Sequence, residues 1–234
     1  MRKEDAMIIL GTAHLGSTPG KCSPDGRLKE AVWSREICKE LCAKLKGIGY
    51  KTEIDYEPLN ASADMKGATA KIEQNHELAA RVNFVNGLCK KIGKANCLYV
   101  SIHVNAAGTD GKWHTAGGFS VYTSKGKTNS DILAEKIYER AFVDLTDYDL
   151  LVYKGKKTGD YDSKQRAFRM DTSDGDKDME ADFYVLKNTN CPAVLVECMF
   201  QDNKSDVEYL LSDSGKHSIM RSIIEGIISY INVI

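Results

Sequence analysis

Long hydrophobic runs are missing from this 234-residue sequence. No stretch approaches the roughly 18 consecutive apolar residues of a membrane-spanning helix, so we expect no membrane span. The apolar run near the N-terminus is too short for a secretory signal, so we expect that none is made or that it has been removed. Only 4 prolines occur, and no linker-like stretch or internal repeat divides the chain. We therefore predict a single domain over residues 1–234.

Excess charge of one sign is also absent. Lys and Arg total 32 and Asp and Glu total 33, which gives a formal net charge of −1. Without a strong positive balance there is no electrostatic reason to expect nucleic-acid binding, and we expect no nucleic-acid partner. We predict a monomer. With 42% hydrophobic residues, the chain has enough apolar side chains for a substantial core.

The cysteines do not indicate a disulfide framework. Their number is odd, no Cys-x-x-Cys motif occurs, and they lie at positions 22, 38, 42, 89, 97, 191 and 198. Several fall inside segments that the sequence predicts as helices or strands. We therefore predict reduced, mostly buried thiols.

What the sequence does contain is an alternation of strand-like and helix-like segments. Runs rich in β-formers predict strands at 7–13, 51–56, 97–103, 119–123, 183–186 and 193–197. Apolar residues at helical spacing predict helices at about 27–48, 76–92, 131–145 and 216–230. Such alternation predicts the α/β class, with a twisted, mostly parallel sheet of about six strands and helices on both faces.

One long segment, residues 146–182, is charged and largely aperiodic. Loops of this length are usually functional or mobile. We expect it to be the most mobile part of the chain. Together with loops 15–26 and 105–118, it is expected to form the walls of an open groove.

Three predicted strands end on side chains that can ionise or bind metal. His14 follows the first strand, His103 closes the third, and Glu197 ends the last. Open α/β sheets place their ligand crevice at the carboxyl ends of the strands. A single histidine at a strand end is more often structural than a ligand, but three such ends in one alternating fold favour a shared site. Cys198 should point away from Glu197 and be a buried thiol rather than a nucleophile.

Glu30, in the first turn of the helix after the first strand, is the candidate for a further ligand. A catalytic zinc site keeps three protein ligands from His, Asp or Glu and leaves one position for water. His14, Glu30 and His103 would complete that set, and Glu197 would face the open side and activate the water. Spacing alone leaves a second reading of Glu30, as a surface residue favoured by the helix dipole.

Four blocks of sequence carry a family resemblance: Ile8–Gly16, Glu30–Ser34, Ser101–Ala106 with Arg81–Asn83 before it, and Val194–Asn203. They resemble the zinc-dependent N-acetylmuramoyl-L-alanine amidases of the Amidase_3 family, which act on peptidoglycan. The resemblance implies zinc ligands at His14, Glu30 and His103 and a catalytic carboxylate at Glu197. It implies cleavage of the amide between N-acetylmuramic acid and the L-alanine of the stem peptide. It also implies action on the cell wall, periplasmic or extracellular, by phage-type release if no signal is made.

Three positions depart from the family pattern. The block around His14 lacks the usual Asp-x-Gly-His-Gly sequence. Ser34 stands where an Asn usually follows the ligand glutamate by four residues, and Met199 stands where a Gly usually precedes the Phe of the last block. Because the candidate ligands are retained, we expect activity with an altered pocket around His14.

Ser34, Asn105 and His114 are further candidates, either supporting the ligands or lining the substrate rim. Two other functions remain open. A zinc peptidase acting on the stem peptide could use the same ligands. A non-catalytic peptidoglycan-binding module would have no need of Glu197 as a base.

Overall fold

A computed structural model describes residues 1–148 and 165–234. The strands are β1 (Met7–Thr12), β2 (Lys51–Ile54), β3 (Cys97–Asn105), β4 (Gly117–Thr123), β5 (Gln165–Phe168), β6 (Met179–Glu180) and β7 (Ala193–Phe200). The helices are α1 (Glu30–Gly47), α2 (Ala70–Ile92), α3 (Asn129–Asp144), α4 (Tyr184–Asn188), α5 (Lys204–Leu211) and α6 (Asp213–Val233). No helix within these described residues is long and apolar enough to cross a membrane.

The strands form one sheet in the order β2-β1-β3-β7-β4-β5, with β6 also paired to β4. Strands β2, β1, β3 and β7 run parallel, whereas β4 runs antiparallel to β7. Both β5 and β6 pair in parallel with β4, one near each of its ends. The predicted α/β class with a mostly parallel sheet is confirmed, with seven described strands rather than six.

Alternation of side chains along the central strands builds a core on each face of the sheet. In β3, Leu98 and Val100 belong to the larger core, which includes residues of α1, α3 and α6. Cys97 and Tyr99 belong to the other core, which includes residues of α2 and α4. Because successive strand residues point to opposite faces, one continuous apolar run serves both cores. The carboxyl ends of β1, β3 and β7 therefore meet at one edge, between two helical layers.

The predicted strand at 183–186 is wrong, because this segment begins the short helix α4. Phe183 and Tyr184 are 37% and 46% exposed, whereas Val185 and Leu186 are 5% and 4% exposed. Two exposed residues followed by two buried ones fit a helical turn, whereas a half-buried strand would alternate. The β-forming composition of the segment misled the prediction.

The prediction that 146–182 lacks regular structure is wrong for its described part. Strands β5 and β6 lie in it and pair with β4, and Phe168 and Asp178 are buried. Strands of four and two residues are too short to show an alternating sequence pattern. Their strand conformation depends on pairing with β4 rather than on local sequence. The expected mobility of this segment falls in part on residues 149–164, which lie outside the described residues.

Two helix boundaries differ from the predicted ones because polar caps set them. Helix α2 begins at Ala70 rather than near 76, where the Thr69 hydroxyl accepts a hydrogen bond from the Ile72 amide. The C-terminal helix begins at Asp213, capped by Ser212, and the separate helix α5 precedes it. Capping residues satisfy amides that the first helical turn leaves unpaired, so they fix where a helix starts.

Helices α3 and α6 approach so closely that glycine is needed between them. A Cβ added at Gly226 would lie 2.7 Å from the Ile137 Cα, a backbone atom that cannot step aside. We expect Gly226→Ala to lower the free energy of unfolding by about 1–3 kcal/mol through overpacking. Gly87, inside α2, has no atom within 4 Å of an added Cβ and is the matched control.

Gly87→Ala should raise the free energy of unfolding by about 0.5–1 kcal/mol, because alanine restricts the unfolded chain and favours helix. Chemical denaturation of both variants measures the two changes. Equal effects of the same sign would show that contact between α3 and α6 does not limit the size of residue 226.

Candidate metal centre

The carboxyl edge of the sheet brings together the four side chains singled out in the sequence. Strands β1 and β3 pair as far as Thr12 and Ile102, and His14 lies just beyond that point. His103 and Glu197 are direct neighbours in the register of β3 and β7. Glu30 is the first residue of α1, which packs against β1 and β3.

The ligand atoms of His14, Glu30 and His103 all lie within 4.8 Å of one another. One carboxylate oxygen of Glu30, Oε1, is 3.1 Å from His103 Nδ1. The other, Oε2, is 3.5 Å from His14 Nε2 and 3.7 Å from Lys21 Nζ. The two imidazole rings meet edge to face, with centroids 5.1 Å apart. Two imidazoles and a carboxylate converging in this way could hold a metal ion.

Burial sets the protonation of this cluster. Removal from water lowers the pKa of His14 to about 3, so its imidazole is neutral at neutral pH, as a metal ligand requires. Burial also opposes ionisation of Glu30, but the hydrogen bond from His103 and the neighbouring positive charges outweigh it. They hold the pKa of Glu30 down to about 2. A charged carboxylate thus faces a neutral imidazole.

Glu197 is held in a different state from Glu30. Burial, and then the negative charge of Glu30, raise the pKa of Glu197 to about 8, against an opposing effect of Lys21. Its Oε2 is buried without a hydrogen-bond partner, as is Oε2 of Glu30. Each carboxylate therefore has one buried oxygen whose hydrogen-bonding capacity a cation, a water or substrate could satisfy.

A buried ionic network fixes the end of β1 just before His14. The Arg81 guanidinium, from α2, donates to Asp55 at 2.7 Å, to the Thr12 hydroxyl at 2.9 Å and to Glu77. It also reaches the His14 carbonyl at 3.4 Å. Because Arg81 is only 2% exposed, its charge depends on these acceptors.

Comparison with known proteins places the chain in a family. Residues 8–229 match the model of the Amidase_3 family, described as N-acetylmuramoyl-L-alanine amidase. The chain belongs to this family. The family is generally metal-dependent, and the resemblance read from the four sequence blocks is confirmed.

Two curated proteins are similar to this amidase-family chain in sequence. An endolysin of Bacillus phage SPP1 is 30% identical over 157 residues, which are 62% of this chain and 46% of that protein. A probable cell wall amidase, LytH of Staphylococcus saprophyticus, is 25% identical over 228 residues, which are 97% of this chain and 59% of that protein. The chain spans about half the length of these curated relatives.

Solved amidase structures share the fold. The CwlD amidase from Clostridioides difficile, solved in complex with the GerS lipoprotein, has a TM-score of 0.71 and 24% identity, covering 98% of this chain and all of that one. The catalytic domain of CwlV from Paenibacillus polymyxa has a TM-score of 0.69 and 16% identity, covering 98% and 99%. At these identities the likeness establishes the fold alone.

Ser34, which stands where the family usually has Asn, ties the two histidine-bearing strands together. Its hydroxyl accepts a hydrogen bond from the Ala13 amide at 2.8 Å and donates one to the Ile102 carbonyl at 2.6 Å. Each partner immediately precedes one of the candidate histidine ligands. Ser34 is fully buried, so it lies behind the ligands and away from the substrate rim.

Met199, which stands where the family usually has Gly, adopts a left-handed backbone with φ of 65°. The register shifts at this point, because Cys198 and Met199 together oppose Val104 alone. An extra residue in the left-handed region is typical of a β-bulge that favours glycine. The Met199 side chain is fully buried, so its packing offsets the strained backbone. Cys198 is also fully buried, as predicted.

Asn105 and His114 lie beyond the metal cluster. The Asn105 side chain accepts a hydrogen bond from the Ala106 amide at 2.8 Å, where the chain leaves β3. His114 pairs with Asp110 inside its own loop at 2.9 Å and is absent from the group of converging ligand atoms. Whether either residue touches substrate stays a prediction.

Sequence reasoning missed three residues that shape the site. Arg81 lies in one of the four segments that resemble the family, but nothing in the sequence pairs it with Asp55. Lys21 lies in a loop without periodicity, so no pattern signals its approach to Glu30. Asp202 accepts hydrogen bonds from the amides of Ala107 and Gly108 and so anchors the loop after β3. These contacts join distant segments, and only the fold reveals them.

Replacing Arg81 should test the network behind His14. Arg81→Met keeps an unbranched side chain of similar length but leaves Asp55 and Glu77 buried without their cation. We expect a loss of roughly 3–5 kcal/mol in the free energy of unfolding. Lys91→Met, on the exposed surface of the same helix, should change it by less than about 0.5 kcal/mol. Similar losses for both variants in urea denaturation would contradict the assigned role of the network.

Proposed function

We propose that this chain is a zinc-dependent N-acetylmuramoyl-L-alanine amidase. It hydrolyses the amide that joins N-acetylmuramic acid to the L-alanine of the peptidoglycan stem peptide. The observation that carries the proposal is the pairing of a cluster of two imidazoles and one carboxylate with Glu197, a separate half-buried carboxylate next to His103 in the sheet. Membership of the amidase family supports this choice of bond.

The residues present fit zinc on their own chemistry. Zinc takes imidazole nitrogen and carboxylate oxygen ligands, and catalytic sites typically use three of them. Glu30 Oε2 is buried, ionised and without a hydrogen-bond donor, which is costly unless a cation binds there. We therefore assign His14, Glu30 and His103 as the ligands.

The remaining chemistry follows from the positions of these side chains. Zinc, when bound in such a site, acts as a Lewis acid that polarises a carbonyl and makes water more acidic. A cation held by the neighbouring ligands would lower the pKa of Glu197 and favour its carboxylate form. In that form Glu197 would accept a proton from the attacking water and deliver it to the leaving nitrogen of L-alanine. Ser34 and Arg81 hold the backbone on either side of His14, which keeps the ligand set in place before substrate arrives.

The substrate implied by this reading is peptidoglycan, and the place of action is the cell wall. Since peptidoglycan is a polymer, the site must be open at both sides. The loops after β1 and β3, anchored by Gln201 and Asp202, are in position to form two of its walls.

The bond cleaved distinguishes the proposal from its rivals. Digestion of purified peptidoglycan should release new amino termini on L-alanine together with peptide-free glycan, because the attacked carbonyl belongs to the lactyl group. Mass spectrometry of the products, with Glu197→Gln as the inactive control, provides the measurement. New amino groups on D-amino or diamino acids would identify a peptidase instead, and binding without any new amino group would identify a binding module.

Substitutions at Glu197 and His103 should affect zinc binding and turnover differently. Glu197→Gln should keep zinc but lower turnover by roughly 10²–10⁴-fold, because it removes a proton acceptor and no ligand. His103→Ala should lose most of its zinc to a chelator, because two ligands hold the ion weakly. Elemental analysis beside an activity assay measures both. Loss of zinc in Glu197→Gln would show that Glu197 is a ligand. Full zinc in His103→Ala would remove His103 from the ligand set.

A further inference from the structure

Lys21 brings a positive charge to the candidate metal centre. Its Nζ lies 3.7 Å from Oε2 of Glu30, and its side chain is 33% exposed, whereas that of Glu30 is 1% exposed. An ion pair between two exposed side chains usually contributes little, because water screens both charges. Here the carboxylate is buried, so the nearby ammonium offsets part of the cost of keeping a negative charge out of water.

Backbone contacts hold Lys21 beside the start of α1. The Lys21 carbonyl accepts a hydrogen bond from the Glu30 amide at 3.0 Å. The carbonyl of the preceding residue, Gly20, accepts one from the Gln201 side chain at 2.9 Å. The backbone of the loop is therefore fixed next to Glu30. The ammonium, at the end of a flexible four-carbon side chain, can move while the loop stays in place.

The two oxygens of Glu30 differ in how firmly they are held. Oε1 lies 3.1 Å from both the Val104 amide, which donates to it, and His103 Nδ1. Oε2 has no hydrogen-bond partner, and Lys21 at 3.7 Å is too far away to donate a hydrogen bond. The ammonium thus compensates the charge of Glu30 without occupying the lone pairs of Oε2, which are the ones that a metal ion needs.

We propose that Lys21 is the resident counterion of the metal-free site and that zinc displaces it from Oε2 of Glu30. This inference rests on the proposed zinc centre and concerns how tightly that centre holds its metal. In the metal-free chain, the ammonium stabilises the buried carboxylate. In the loaded chain, the same ammonium is a like charge close to a dication, and it weakens zinc binding. Lys21 therefore stabilises the metal-free fold and lowers its affinity for zinc.

The variant Lys21→Met tests both halves of this inference, because it removes the charge and keeps a flexible side chain. Competition with a chromogenic zinc chelator should show a zinc affinity about tenfold higher than that of the parent chain. Urea denaturation without metal should show a midpoint lower by about 0.2–0.5 M. The two shifts oppose each other, whereas a general disturbance of the loop would lower both the affinity and the stability.

Two further variants serve as controls for charge and for location. Lys21→Arg keeps the positive charge, so its zinc affinity should stay within about threefold of that of the parent chain. Lys29→Met removes an exposed charge from the same loop and should also stay within about threefold.

Three results would overturn the inference alone while the parent chain still binds zinc. They are an affinity in Lys21→Met that is unchanged or lower, a metal-free midpoint in Lys21→Met that does not fall, and an equal rise in affinity in Lys29→Met. Absence of zinc binding by the parent chain and by every variant would overturn the proposed function together with this inference.

Discussion

One buried charge, the Glu30 carboxylate, determines how this end of the molecule is built. It is only 1% exposed, and burying an ion costs several kcal/mol unless partners surround it. Its Oε1 receives the Val104 amide and His103 Nδ1, each at 3.1 Å. Its Oε2 approaches His14 and Lys21. The first turn of α1 is thereby tied to the ends of β1 and β3, and a cation at Oε2 would complete the set.

The groups around Glu30 are held by a further layer of satisfied polar contacts. Ser34 joins the residues before the two histidines, and Arg81 connects α2 to the end of β1. Tyr99 adds a hydrogen bond to Asp55 at 2.8 Å, so the network reaches into the sheet. Buried polar groups without partners are costly, so each member restricts the positions of the others. The positions of the three candidate ligands are therefore set by the fold.

Much of this arrangement could be predicted from the sequence, because strand ends in a parallel sheet must share one edge. That rule placed His14, His103 and Glu197 together, and helix α1 had to return across the same edge with Glu30. The sequence did not predict β5 and β6, because such short strands depend on pairing with β4. The strand predicted at 183–186 is in fact the start of α4, because its β-forming residues are exposed and buried in a helical pattern. The network around Arg81 joins segments far apart in the chain, so no local pattern could predict it.

The central claim is that His14, Glu30 and His103 form a zinc centre at this edge. Zinc K-edge X-ray absorption on the loaded chain tests it most directly, because it reports the atoms that touch the ion. The account predicts two imidazole nitrogens at about 2.0–2.1 Å with oxygen completing the shell and no sulfur. A sulfur neighbour, a third imidazole, or a shell of oxygen alone would contradict the account.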